Sequence, residues 1–225
     1  MSSVAQRLAE VRARIEAASI AAGRDPHSVA LVAVSKTKPA EAIRQAYAAG
    51  QRAFGESYAQ ELAQKAEELA DLPDIEWHFI GHLQTNKAKY VARAAHVVHA
   101  VDTEPLAREF GRRVAMAGRP RLRALVEVKL SYEPTKHGAR PEDLEDVLRA
   151  VEAEPSLLLA GLMTLPEDAA AEASQAFATL ASLRLLHGGS ARLPELSMGM
   201  TGDLELAIAR GATMVRVGTA IFGAR

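Results

Sequence analysis

Residues 29–50 read VALVAVSKTKPAEAIRQAYAAG, and a β-branched apolar run, a polar turn and an alanine-rich amphipathic run follow one another in that order. VALVAVSK (29–36) reads as a buried strand, and PAEAIRQAYAAG (39–50) reads as a helix that opens on a proline and stops at Gly50. The strand type returns in RAFGES (52–57), EWHFIG (76–81), VVHAVD (97–102), RLRALVEVKL (121–130), LLLAGLMTL (157–165), ELSMG (195–199) and MVRVGTAIFG (214–223). Helical stretches lie between them: YAQELAQKAEELA, TNKAKYVARA, TEPLAREFGRRVAMAG, PEDLEDVLRAVEA, and runs at about 168–187 and 202–211. Eight strand-then-helix units result, the last helix short or missing. Strands alternating with helices predict a parallel sheet with right-handed crossovers, and eight units in so short a chain favour closure into a single (β/α)8 TIM-type barrel. No G-x-G-x-x-G follows the first strand and no G-x-x-x-x-G-K-[ST] occurs, which argues against an open nucleotide-binding sheet.

Ahead of the barrel (29–225), residues 1–24 place Val4, Leu8, Val11, Ile15 and Ala18 at spacings of three and four. That pattern predicts an extra N-terminal amphipathic helix, ended by Gly23 and Asp25-Pro26, covering the outside or the bottom of the barrel. No linker-like segment interrupts the remainder, so the 225 residues read as one domain.

Composition narrows the function classes. Lys+Arg is 27 against Asp+Glu 28, a net charge of −1, which gives no electrostatic reason to expect nucleic acid or an anionic membrane surface. With no cysteine, disulfides, thiolate metal sites and a cysteine nucleophile are ruled out. The charged N-terminus has no apolar signal core, and no run approaches the ~18 apolar residues of a membrane helix. A cytoplasmic protein is expected.

Barrel enzymes carry their chemistry at the carboxyl ends of the strands. Here those ends are polar, beginning with Ser35-Lys36-Thr37-Lys38. Side chains alternate along a strand, so Val32, Val34 and Lys36 share a face; if the valines point inward, Lys36 does too. A lysine at a strand end is ordinarily a solvated charge, and Lys38 fits that description. An inward Lys36 sits instead in a low-dielectric cup that disfavours the ammonium form and frees the amine to attack a carbonyl. That is the profile of a Schiff-base lysine.

Closing the barrel makes the eighth strand the neighbour of the first, which brings Arg216 into the same cup. A buried salt bridge to Glu56 or Glu127 is an equal alternative for Arg216 at this point. Gly218-Thr219 and SMGMTGD (197–203) add backbone N–H groups and hydroxyls after strands seven and eight, where such barrels often hold phosphate. A carbonyl-reactive lysine, an adjacent arginine and a phosphate cradle describe a site for pyridoxal 5′-phosphate. Its aldehyde would bond Lys36, its phosphate would rest on Thr201, Gly218 and Thr219, and Arg216 would face the ring nitrogen.

The motifs AVSKTKP, FGESY, WHFIGHLQTNK, TKHG, GLMTLP, LSMGMTGD and MVRVGTAIFGAR, in this order and spacing across essentially the whole chain, resemble those of the pyridoxal phosphate homeostasis proteins. The resemblance implies a fold similar to the barrel domain of alanine racemase and a cofactor held on Lys36. It implies phosphate contacts from Thr201, Gly218 and Thr219, with Arg216 at the ring nitrogen, and it adds Ser197 and His82 to the cofactor-binding residues. Ser57 stands where the family often has asparagine, and Thr201 stands where it often has serine. Lys136 matches a family lysine that handles cofactor secondarily, but also reads as a plain loop lysine.

Other candidates are weaker. His96 and His99, three apart on a strand, face opposite ways, and His78 and His82 lack clustered carboxylates, so no metal site is expected. The serines lack a nucleophile-elbow setting, and Trp77 reads as a packing residue. The expected function is reversible holding of pyridoxal phosphate in vitamin B6 homeostasis, with possible delivery to apo-enzymes, by a monomer without robust catalysis. The alternative is a pyridoxal phosphate-dependent amino acid racemase, which needs proton-transfer groups on both faces of the α-carbon. Of four tyrosines, Tyr58 and Tyr132 are expected near the rim. A third reading is a phosphosugar barrel with an aldolase-type lysine.

Overall fold

The computed structural model describes residues 3–131, 133, 136–167 and 169–224. Eight strands, hydrogen-bonded in chain order, close on themselves: β1 (Ala30–Val34), β2 (Ala53–Glu56), β3 (Glu76–Phe79), β4 (Val97–Val101), β5 (Leu122–Glu127), β6 (Leu157–Met163), β7 (Glu195–Ser197) and β8 (Met214–Val217). Every pairing is parallel, and closure is made by β1 on β8, with Val32 opposite Arg216 and Ala33 opposite Val217. The predicted (β/α)8 barrel is the observed one.

Around it run α1 (Val4–Ala21), α2 (Ala40–Ala48), α3 (Ala59–Glu68), α4 (Ala88–Ala94), α5 (Glu104–Met116), α6 (Leu144–Glu152), α7 (Ala170–Leu186), α8 (Gly189–Arg192), α9 (Leu204–Ala209) and α10 (Thr219–Phe222). Two differences from the sequence reading stand out. The run 214–223 is strand only to Val217; its β-branched and aromatic tail coils into the single turn α10, because Ile221 and Phe222 are buried under α1 rather than paired in the sheet. The short α8, led in by Gly188 at φ 108°, is not legible as a separate element.

The leading helix opens with a capping box between Ser3 and Gln6 and buries Val4, Leu8, Val11 and Ile15. It lies on the outside of the barrel against α9, α10 and α2, in the gap that a one-turn α10 leaves in the helical ring. Each such fully buried aliphatic side chain contributes about 1.5–3 kcal/mol. Arg7 fastens it to the carbonyl of Ile221 (2.6 Å) and Arg14 to that of Thr201 (3.0 Å), so α1 touches both loops that follow β7 and β8.

Strand alternation sorts the side chains into two cores. Ala33, Phe54, Trp77, Phe79 and Val98 join the helices in one continuous apolar layer, where Trp77 stands 6.1 Å from Phe54, ring to ring, in the packing role expected of it. Val97, Leu125, Ala160 and Met163 form a separate small cluster. The barrel interior, usually filled by branched aliphatics, also holds His78, His99, Glu127, Ser197 and Arg216, all buried. Buried polar groups must find partners, and those partners define the site.

Candidate functional site

Three strand ends, β1, β7 and β8, are neighbours in the closed sheet, and the lysine, the arginine and the hydroxyls sit on them. Past β1 the chain turns at once: Lys38 donates its N–H to the carbonyl of Ser35 at 3.0 Å, and Thr37 adopts φ 64°. A positive φ in a β-branched residue is strained by about 1–3 kcal/mol and persists where surroundings enforce it. Lys36, half-buried, is the residue before it, on the rim four positions beyond Val32.

The surroundings that enforce the turn lie beneath it. Ser35 donates its hydroxyl to Glu56 (2.7 Å), and Lys65 on α3 donates to the Ser35 carbonyl, to Glu56 and to Glu61, each at 2.7 Å. Glu61 in turn accepts the N–H of Thr37 at 2.6 Å. Glu56 and Ser35 are fully buried and Lys65 nearly so. Burial pushes the Glu56 carboxyl up, and Lys65 and Ser35 pull it back. Glu56 is thereby committed to Lys65, which removes it as a salt-bridge partner for Arg216.

Arg216 points into the barrel with Val32, its register partner. It donates to Ser197 Oγ at 2.6 Å and to the Thr164 carbonyl at 2.9 Å, so its bonds go to neutral oxygens rather than to a carboxylate. Burial lowers it to about 10, with Glu127 and Asp203 opposing, and it stays cationic at neutral pH. Glu127, 3 % exposed, is lifted to about 7 by burial and by the nearby charge of Asp102, against the pull of Arg216. Its Oε2 has no hydrogen-bond partner among the described residues. The sequence reading named Glu127 only as a possible partner of Arg216; the alternation Arg123, Leu125, Glu127 along β5 carries the signal that it faces inward.

Ser197 is buried between two neighbours. Besides Arg216 it meets Nδ1 of His99 at 2.8 Å, and Nε2 of His99 meets Nδ1 of His78 at 2.9 Å. Nε2 of His78 faces the Glu76 carboxylate at 3.5 Å, and Glu76 is held at the barrel floor by Arg123 (2.8 Å), which also reaches Glu195 (3.5 Å). A hydrogen-bonded chain thus runs from His78 to Arg216, and Nε2 of His78, which has no hydrogen-bond partner among the described residues, is left 3.5 Å from Glu76 at the floor. His96, by contrast, accepts the N–H of Trp77 at 2.9 Å and stays apart from His99.

On the loops after β7 and β8, the hydroxyls of Thr201 and Thr219 come within 3.3 Å of each other. The N–H groups of Thr201, Gly218 and Thr219 donate to no backbone carbonyl among the described residues, and Gly218 lies so close to β1 that an added Cβ would stand 3.2 Å from the Val34 carbonyl. Two hydroxyls and three N–H groups on the loops after β7 and β8 make a donor set that fits a phosphate. His82 lies across the rim after β3, stacked on His137 at 3.5 Å and 3.7 Å from Asp102. Burial and the His137 charge lower it, Asp102 opposing. Just below, Gly81 passes so close to the Ser57 carbonyl that a Cβ would stand 2.2 Å from it, which requires glycine there. Lys136 donates to the Pro166 carbonyl at 3.4 Å. Tyr58 is exposed at the start of α3; Tyr132 lies outside the described residues.

The chain has relatives among known proteins over its whole length. Residues 7–225 match the family described as alanine racemase, N-terminal domain. A pyridoxal phosphate homeostasis protein of Pseudomonas aeruginosa is 51 % identical over 228 residues, covering 100 % of this chain and 97 % of that one. Its namesake in Escherichia coli is 42 % identical, covering 100 % and 98 %. PipY of Synechococcus elongatus, solved with pyridoxal phosphate bound, superposes with a TM-score of 0.84 at 40 % identity, covering 98 % of this chain and 100 % of PipY. Alanine racemase of Corynebacterium glutamicum shares the fold at a TM-score of 0.66 and 20 % identity, with 99 % of this chain matched to 61 % of the racemase.

Proposed function

This chain belongs to the pyridoxal phosphate homeostasis protein family, and on that premise we propose that it holds pyridoxal 5′-phosphate reversibly at the rim formed by β1, β7 and β8. The observation that carries this reading is the convergence of Lys36, Arg216 and the Thr201–Thr219 hydroxyl pair on three neighbouring strand ends. Bound there, the cofactor supplies a reactive aldehyde and an electron-withdrawing ring. Lys36 would provide the amine that holds the aldehyde. Thr201, Gly218 and Thr219 would provide the donors for its phosphate, and Arg216 would donate to the ring nitrogen.

Arg216 favours holding over catalysis. Fixed by Ser197 and the Thr164 carbonyl, and cationic at neutral pH, it offers the ring nitrogen a hydrogen bond but gives up no proton, so the ring remains a weak electron sink. Racemisation also needs a second proton-transfer group opposite the lysine. Among the described tyrosines, Tyr47 is bonded to Asp74, Tyr90 packs against the helical layer and Tyr58 is exposed. Delivery to pyridoxal phosphate-dependent apo-enzymes, a monomeric state and a cytoplasmic location are part of the same proposal; no helix among the described residues is long and apolar enough to cross a membrane.

The test is retention after borohydride reduction. Wild type incubated with pyridoxal phosphate is expected to keep one reduced adduct on the Lys36 peptide, and Lys36→Ala to fold and keep none. An adduct mapped to another lysine overturns the assignment. Sustained α-deuteration of L- or D-alanine in deuterated water by the loaded protein would replace the holding role with a racemase.

A further inference from the structure

We propose that Glu56, Lys65 and Glu61 form a clamp whose task is to aim Lys36, making Lys65 and Glu61 positioning residues for the reactive amine. This deepens the reading of Lys36 given above and rests on it. Three contacts carry the inference. Glu56 takes the hydroxyl of Ser35, Lys65 binds the carbonyl of Ser35, and Glu61 takes the N–H of Thr37. Each of these grips ends on a residue directly flanking Lys36, and together they pin the backbone on both sides of it.

Stability alone does not account for the placement. A buried carboxylate and ammonium, with Glu61 partly exposed beside them, lose hydration in the layer between sheet and helix, and well-packed apolar side chains would fill that space at least as stably. The ions do what apolar groups cannot: they hold a carbonyl and an N–H pointing into the protein while Thr37 stays in the left-handed region. The spacing follows from secondary structure. Glu61 and Lys65 are i and i+4 on α3, one turn apart on the same face, and Glu56 closes β2, the strand beside β1. With Ser35 and Thr37 released, the turn can relax and carry Lys36 away from Arg216 and the two threonine hydroxyls.

The test reads Lys36 itself, in protein free of cofactor. Trace acetylation with acetic anhydride across pH 6–10, followed by peptide mass mapping, gives the reactivity of each lysine, with exposed Lys89 on α4 as internal reference. Glu61→Ala is expected to lower the Lys36 rate relative to Lys89 about tenfold near neutral pH and to displace its pH profile upward, because a released turn lets the amine move from the low-dielectric cup into water. Glu61→Gln, which keeps an acceptor for the Thr37 N–H, is expected to recover most of the wild-type rate. Lys65→Met alone leaves Glu56 buried without its cation and risks misfolding, so it is paired with Glu56→Gln; that folded double variant is expected to behave like Glu61→Ala. Wild-type Lys36 reactivity, within twofold, in folded Glu61→Ala or in the folded double variant overturns the clamp. Because this readout needs no pyridoxal phosphate, it is separate from the borohydride result that decides whether Lys36 carries the cofactor.

Discussion

Glu127 and Lys36 are both read as inward by the same rule of alternation, yet they differ in how the sequence announces them. Lys36 lies two residues past the end of the five-residue β1, so counting by twos from Val32 gives the direction expected of it at the strand's exit. Glu127 ends β5, whose pairing with β6 shifts register between Ala124 and Leu125, and its isolation comes from residues on other strands. That isolation has a measurable consequence. A carboxyl raised from 4.5 to about 7 binds a proton in the folded state that the unfolded chain has already released across that interval. Its contribution to stability is therefore full below about pH 4.5 and is lost as pH rises through about 7, by about 3 kcal/mol at most. Glu127→Gln is expected to match wild type near pH 5 and to be the more stable protein at pH 8. Urea midpoints at the two pH values check this; parallel curves would mean that Glu127 is ionised throughout.

At the scale of elements, α1 is legible as an amphipathic helix on the outside or the bottom of the barrel, but the neighbours it packs against are not. The spacing of Val4, Leu8, Val11 and Ile15 says that one face is buried, while only the shortness of α10 explains where the space for it arises. In that place α1 bears on the phosphate cradle. Arg14 donates to the Thr201 carbonyl and pairs with Glu205 at 2.8 Å, so it fixes the peptide whose neighbouring hydroxyl faces Thr219. The ion pair is half-exposed and contributes little by itself, about 0–1 kcal/mol. The backbone contact matters for geometry instead. Arg14→Ala is expected to weaken pyridoxal phosphate binding about fivefold, a difference of about 1 kcal/mol, while shifting the thermal midpoint by only a few degrees. Titration of the variant by absorbance, set beside its melting curve, checks both halves; unchanged affinity would show that the cradle holds its shape without α1.

Across the whole molecule, closure of the barrel joins residues that no local spacing connects. His78, His99, Ser197 and Arg216 come from β3, β4, β7 and β8, and the histidine spacings examined along the chain pointed elsewhere for that reason. Their contacts fix a direction. The guanidinium only donates, so Ser197 Oγ accepts from Arg216 and its own proton is free to go to His99 Nδ1. Nε2 of His99 then carries the proton given to His78 Nδ1, and Nε2 of His78 carries its own proton 3.5 Å from the Glu76 carboxylate, near enough for attraction but without a formed hydrogen bond. The opposite polarity would set an imidazole lone pair against that carboxylate and leave the serine proton without an acceptor. His99 is held well below 6.5, by burial first and then by the His78 and Arg216 charges, so the ring being assigned is neutral at physiological pH. Long-range nitrogen–proton spectra of the protein are therefore expected to show both rings as Nε2–H tautomers. In Glu76→Ala, the His78 preference should weaken first, because the carboxylate that faces its Nε2 is gone, while His99 remains held from above by Ser197. An Nδ1–H assignment for His99 in the wild-type protein would reverse the chain, with Ser197 accepting from both neighbours and no directional link between the floor and Arg216.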